Sequence, residues 1–234
     1  MHKKTSNESN DSKYKTLLSL AEKEYNKMKL NSHNWGHILR VLDNCNKLNV
    51  NNQLNKDIIF PAIVLHDLGR KNKKESNHSE STAQAEKILA KTGYNKQLIS
   101  EIIDCIKSHS TESKNQPKSI EAITLFDADK LDSYGTIGIA RFFTLAGEQN
   151  WGLEQASNKA FERITQLNKI DGFYTKEAEK IGKTKAKTAF IFYYLLFKEL
   201  KEKEKNESLK KILTTKYGNL KTTILIKTLE KITD

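Results

Sequence analysis

His66 and Asp67 stand side by side at the end of an apolar run, Ile58 to Leu65. The run is long and apolar enough to be a buried helix. An ionised carboxylate at its end costs several kcal/mol or more unless something compensates it. A cation bound by both side chains is the simplest compensation. Other segments carry matching chemistry. His33 and His37 are four residues apart and share a helix face if their helix begins early enough. Asp127, Asp129 and Asp132 fall within Phe126–Asp132. On a helix Asp129 and Asp132 share a face and Asp127 points elsewhere. His109 ends an apolar helix of its own, as Asp67 nearly ends its own.

Imidazole and carboxylate together suit Mn, Fe, Co, Ni or Zn, and a carboxylate-rich site leans toward Mg or Mn. The expected cofactor is therefore one divalent metal ion. Two His and two Asp around it leave positions open for water and a substrate oxygen. Such an ion lowers the pKa of bound water and polarises a phosphoryl oxygen.

The segments His33-Asn-Trp-Gly-His37-Ile-Leu-Arg-Val41, Leu65-His-Asp-Leu-Gly-Arg70 and Asp127-Ala-Asp-Lys-Leu-Asp-Ser-Tyr-Gly135, followed by Gly138-Ile-Ala-Arg141, occur in this order. Together they resemble the HD superfamily of metal-dependent phosphohydrolases, and within it the small bacterial nucleotide pyrophosphohydrolase type. The resemblance covers about residues 14 to 200. It implies an all-α helical bundle and metal ligation by His37, His66, Asp67 and Asp129. It also implies hydrolysis of a nucleoside triphosphate to monophosphate and pyrophosphate. Other subgroups of this fold act on cyclic dinucleotides or other second messengers, and a phosphodiesterase or a nucleotide sensor is the alternative reading. The chain departs from some members by carrying Arg70, not a carboxylate, three residues after Asp67.

The remaining polar candidates surround that ligand set. Asp67, Arg70, His109 and Lys130 are the catalytic candidates, and His33, Arg40, Arg70 and Lys130 the candidate contacts to a phosphate. Asp132 could orient a ligand or serve as a base. His78 lies in the polar segment after the His-Asp pair, where a functional role is open to it. Trp35, Phe126 and Tyr134 read as core residues rather than stacking platforms.

Helices must position these groups. Apolar residues recur at helical spacing from Tyr14 to Met28, from about Trp35 to Leu48, from Lys56 to Leu68, from Glu80 to Lys91 and from Asn95 to Ser108. Further helices are expected over Ile120 to Ser133, around Ala140 to Ala146, over Glu154 to Leu167 and over Lys176 to Glu204. Ser208 to Thr233 reads as two short amphipathic helices. Period-two alternation is almost absent, so the fold class is all-α. The expected organisation is a polar, disordered N-terminal tail at 1–13, a phosphohydrolase domain at 14–204 and a helical appendage at 205–234. That appendage either packs on the domain or forms a contact with a second copy in a homodimer.

The formal charge of +11 raises the question of nucleic acid. The basic residues are nearly all Lys, spread along the chain and mixed with Glu, which is the pattern of a solvated surface. Arg occurs only at 40, 70, 141 and 163, and three of these four lie close to the site segments. Arg engages phosphate bidentately where Lys offers a point charge. A small phosphate ester, above all a nucleotide, is thus the expected partner rather than a nucleic acid or a membrane. Two lone cysteines, Cys45 and Cys105, do not make a disulfide framework and suit a reducing cytoplasm.

Overall fold

The computed structural model describes residues 4–28, 30–49, 51–69, 78–110, 113, 115–169, 172–218 and 227–228. Among them are ten α-helices and no strand. In order they are α1 (Lys4–Lys27), α2 (Trp35–Leu48), α3 (Lys56–Leu65), α4 (His78–Lys91), α5 (Lys96–Ser108), α6 (Ile120–Asp132), α7 (Gly135–Glu148), α8 (Leu153–Lys169), α9 (Lys176–Glu199) and α10 (Lys203–Lys216). The fold is all-α, and no helix among the described residues is long and apolar enough to cross a membrane.

Two compact units divide the chain. One is Met1–Asp132 with Phe173–Ala178, and the other is Ser133–Gly172 with Glu179–Asp234. The division thus falls directly after Asp132, whereas the sequence pattern suggests a boundary near residue 205.

In the first unit α3 is the central element. It packs against α1, α2, α5 and α6. Ile58, Ile59, Ala62, Ile63, Val64 and Leu65 are all buried, which is the pattern of a helix apolar on every side. Full burial of each such aliphatic side chain stabilises by about 1.5–3 kcal/mol. Asparagines set the helix starts. The side-chain oxygens of Asn34, Asn55 and Asn95 accept from the backbone N–H groups of His37, Asp57 and Leu98. Each satisfies a donor that the first helical turn leaves orphaned, worth about 1 kcal/mol. Helix α3 stops at Leu65, three residues short of the expected end, and Gly69 at φ 92° turns the chain away. His66 and Asp67 therefore sit just past the helix rather than in its last turn. Helix α1 begins at Lys4, ahead of the apolar periodicity that starts at Tyr14, so it runs through most of the segment expected to be a disordered tail.

The second unit departs from the expected helix limits in two places. Helix α7 runs from Gly135, so Gly135 and Gly138 lie within it and not before it. A Cβ at Gly138 would stand 2.1 Å from the Ser133 carbonyl oxygen, which explains the glycine. The long helix expected to reach Glu204 ends at Glu199. Lys201 then takes φ 58°, a left-handed turn that apolar spacing does not reveal, and α10 follows. Asn206 donates to the Tyr194 carbonyl, and Leu209 and Leu213 are fully buried, so α10 is packed against α9. The second of the two terminal helices expected over Ser208 to Thr233 lies largely outside the described residues.

Leu65 is fully buried at the end of α3, next to the His-Asp pair. Leu65→Ala is expected to lower the unfolding free energy by about 2–5 kcal/mol. Urea unfolding followed by far-ultraviolet circular dichroism measures it, and a loss below about 1 kcal/mol would contradict the central place given to α3.

Candidate metal centre

The α2–α6 pair brings the outer segments of the site together. His37, Arg40 and Asn44 lie three and four residues apart on α2 and form one stripe facing α6. Asn44 Nδ2 donates to the Ala128 carbonyl at 3.0 Å. His37 Nδ1 meets Asp132 Oδ2 at 2.7 Å. Arg40 closes on the same carboxylate, Nε to Oδ1 at 2.8 Å and Nη2 to Oδ2 at 3.1 Å. This places His37 Nε2 3.2 Å from Asp129 Oδ1 and 3.5 Å from Asp67 Oδ2.

Two further imidazoles come from helix ends. A helix leaves its last carbonyls without backbone partners. His66 uses one of them, with Nδ1 2.8 Å from the Ile63 oxygen. His109 does the same at the end of α5, with Nδ1 2.5 Å from the Ile106 oxygen. A carbonyl can only accept, so each Nδ1 carries the proton and each Nε2 is turned inward. His66 Nε2 lies 3.4 Å from Asp67 Oδ2 and 3.8 Å from Asp129 Oδ1. His109 Nε2 lies 3.8 Å from Asp67 Oδ1.

The arrangement is buried and rich in acceptors. The side chains of His37 and His66 are 0% exposed, those of Asp67 and His109 3%, and that of Asp129 24%, so the cluster opens at Asp129. Burial pushes the His109 imidazole down to about 4, and His66 beside it acts in the same direction. At neutral pH its Nε2 is therefore a bare lone pair. Burial alone would raise the Asp129 carboxyl. His37 and His66 outweigh that and hold it well below the usual carboxylate range, so it is ionised. His66 Nε2 is buried with no hydrogen-bond partner among the described residues.

Nitrogen lone pairs and carboxylate oxygens facing one another require positive charge between them. His37, His66 and Asp129 form one group whose ligand atoms all lie within 4.8 Å of each other, and His66, Asp67 and His109 form a second. Donors about 2.1 Å from one ion lie about 3.0 Å apart when adjacent and about 4.2 Å apart when opposite. The separations of 3.2–3.8 Å seen here fall in that range. The residues present thus fit a divalent cation, and two carboxylates would balance its charge.

Comparison with known proteins bears on the fold that carries these residues. Residues 34–134 match the HD-domain family model. This stretch is an HD domain. Over 133 residues the chain is 29% identical to the uncharacterized protein YpgQ of Bacillus subtilis strain 168, an alignment covering 55% of this chain and 64% of that relative. The aligned stretch thus spans less than two thirds of YpgQ. A crystal structure of B. subtilis YpgQ in complex with ADP superposes with a TM-score of 0.63 at 24% identity, covering 80% of this chain and 97% of that one. The Lin1889 protein of Listeria innocua gives 0.61 at 27% identity, over 81% and 97% of the two chains. An HD-superfamily hydrolase of Bacillus thuringiensis gives 0.61 at 23%, over 82% and 98%, a likeness of fold.

Other candidates of the HD segment take different places. Asp127 is fully buried and turned away from the cluster. It accepts from the backbone N–H groups of Tyr174 and Thr175, at 2.9 Å each, and from the Thr175 hydroxyl at 2.7 Å. Thr175 in turn caps Ala178 N–H in the first turn of α9. Asp127 is thus an anchor for that helix start. Its burial raises the carboxyl pKa, and the three hydrogen bonds act against that. Lys130 lies over the rings of Phe126 and Phe173 at 5.2 and 5.5 Å. The guanidinium of Arg40, expected as a phosphate contact, is engaged by Asp132 through Nε and Nη2. His33 bonds to Ser32 Oγ through Nδ1, and its ring stands 5.8 Å edge-on from that of His37. Arg70 and the side chain of His78 lie outside the described residues.

Sequence reasoning missed the carbonyls that orient His66 and His109. The signal was present, since each histidine directly follows an apolar helix.

Asp127→Ala removes an acceptor from three donors. It is expected to destabilise the protein by about 2–4 kcal/mol while leaving divalent-ion affinity within about twofold. Thermal unfolding and titration calorimetry with MnCl2 on the same protein test this. A stable variant that no longer binds Mn(II) would move Asp127 into the metal centre.

Proposed function

We propose that this chain is a metal-dependent phosphohydrolase whose substrate is a nucleotide, cleaved from nucleoside triphosphate to monophosphate and pyrophosphate. The observation that carries the reading is the convergence of His37, His66, Asp67 and Asp129 from three parts of the chain on one acceptor-lined pocket. Those four residues would hold a single divalent ion, with Mn, Mg, Ni, Co, Fe and Zn all compatible with the donor set. When bound, such an ion supplies Lewis-acid polarisation of a phosphoryl oxygen and acidification of water.

The chain's own residues do the rest. His37 and His66 offer nitrogen donors, while Asp67 and Asp129 contribute carboxylate oxygens. His109, held by Ile106, keeps a lone pair beside Asp67 where it accepts a hydrogen bond from the attacking water. The exposed edge at Asp129 is the side from which a phosphate reaches the pocket. Lys130, next to Asp129 in sequence, and Arg70 are the cations assigned to developing phosphoryl charge. Support for a nucleotide comes from the ADP complex of YpgQ, a protein of the same fold. The free and buried Cys45 and Cys105 are in keeping with a reducing, cytoplasmic setting.

A panel of nucleoside triphosphates, with MnCl2 or MgCl2 and the products separated as phosphate or pyrophosphate, tests the proposal. Wild type is expected to release pyrophosphate. Asp67→Ala is expected to lose at least about 1000-fold in rate, since it removes both a donor and charge. Equal turnover by the two proteins, or orthophosphate as the product, would contradict the reading.

A further inference from the structure

Three imidazoles face the pocket, and they are oriented in two ways. His66 and His109 follow helix ends, where a spare carbonyl three residues back takes the Nδ1 proton. His37 is held in another way. It sits in the first turn of α2, and the carbonyl three residues back, that of Asn34, already accepts from the His37 and Ile38 backbone N–H groups. A side chain from another helix has to orient this ring. Asp132 Oδ2 does so at 2.7 Å.

Asp132 is itself an anion that is 1% exposed, and such a group needs compensation. Arg40, one turn along α2 from His37, supplies it with two nitrogens on the two carboxylate oxygens. A two-point contact fixes the plane of the carboxylate as well as its position. The Arg40 side chain is 38% exposed while its partner is 2% exposed, so the brace reaches in from the surface.

We infer that Asp132 and Arg40 form a relay that positions His37: Arg40 fixes Asp132, and Asp132 holds the Nδ1 proton so that Nε2 is presented to the cation. Both are positioning residues. The inference rests on the metal centre proposed above, and it moves Arg40 from substrate contact to support of a ligand. A carboxylate behind a ligating imidazole raises the basicity of the ligating nitrogen, and loss of such a partner costs 10–100-fold in metal affinity.

The test uses full-length protein stripped of metal and titrated with MnCl2 by calorimetry, with folding checked by circular dichroism. Asp132→Asn, nearly isosteric, and Arg40→Gln are each expected to weaken Mn(II) binding about 10–100-fold. Arg40→Lys, which keeps the charge but not the fork, is expected to fall between wild type and Arg40→Gln. At saturating Mn(II), the KM for the nucleotide is expected to stay within about threefold of wild type in Arg40→Gln. Unchanged Mn(II) affinity with a raised KM would overturn the inference and return Arg40 to the phosphate. A wild type that binds no divalent ion would overturn the metal centre and the relay with it. Normal binding by wild type and all three variants would overturn the relay alone.

Discussion

Everything in the first unit follows from one electrostatic requirement: acceptors gathered at the end of a buried helix need positive charge. Helix α3 is apolar on all sides and delivers His66 and Asp67 into the interior. Asp67 is 2% exposed there, and its oxygens face three imidazole nitrogens. An ionised carboxylate in such a place costs several kcal/mol by itself. The fold surrounds the carboxylate with imidazole nitrogens and a second carboxylate, an arrangement that a divalent ion satisfies and an apolar packing does not.

The ring orientations show how the helices serve this requirement. The same defect of helical structure, a last turn with spare carbonyls, fixes both His66 and His109. Where no helix end is available, as for His37, the chain uses a carboxylate and an arginine from the α2–α6 interface. Asp127, two residues from Asp129, serves a different end. Its carboxylate points the other way on α6 and secures the start of α9. One short acidic segment thus supplies a cluster donor, an orienting group and a helix anchor, according to the direction each side chain takes around the helix.

Much of this was legible in the residues. The helical class follows from the spacing of apolar side chains, and the limits of α2 coincide with those read from Trp35 to Leu48. His37, His66, Asp67 and Asp129, the ligand set that the HD resemblance implies, are neighbours in the fold, and their ligation of a metal is part of the proposal. The opposed directions of Asp127 and Asp129 follow from helical geometry alone. What was not legible depends on contacts far apart in sequence. Arg40 and Asp132 are 92 residues apart, and only the packed α2–α6 pair shows that they bind each other before either meets a substrate. The break at Lys201 was hidden because a left-handed turn at a lysine leaves no mark on the apolar pattern. The matched proteins extend the likeness of fold over most of the chain. The chemistry proposed for the chain rests on the donors, since a shared fold does not by itself specify a reaction.

Anomalous X-ray diffraction from crystals grown with MnCl2 tests the single shared cation most directly. The account expects one strong anomalous peak about 2.0–2.3 Å from His37 Nε2, His66 Nε2 and an oxygen of each of Asp67 and Asp129. No peak among these four residues, or a peak reached by only one of them, would contradict it.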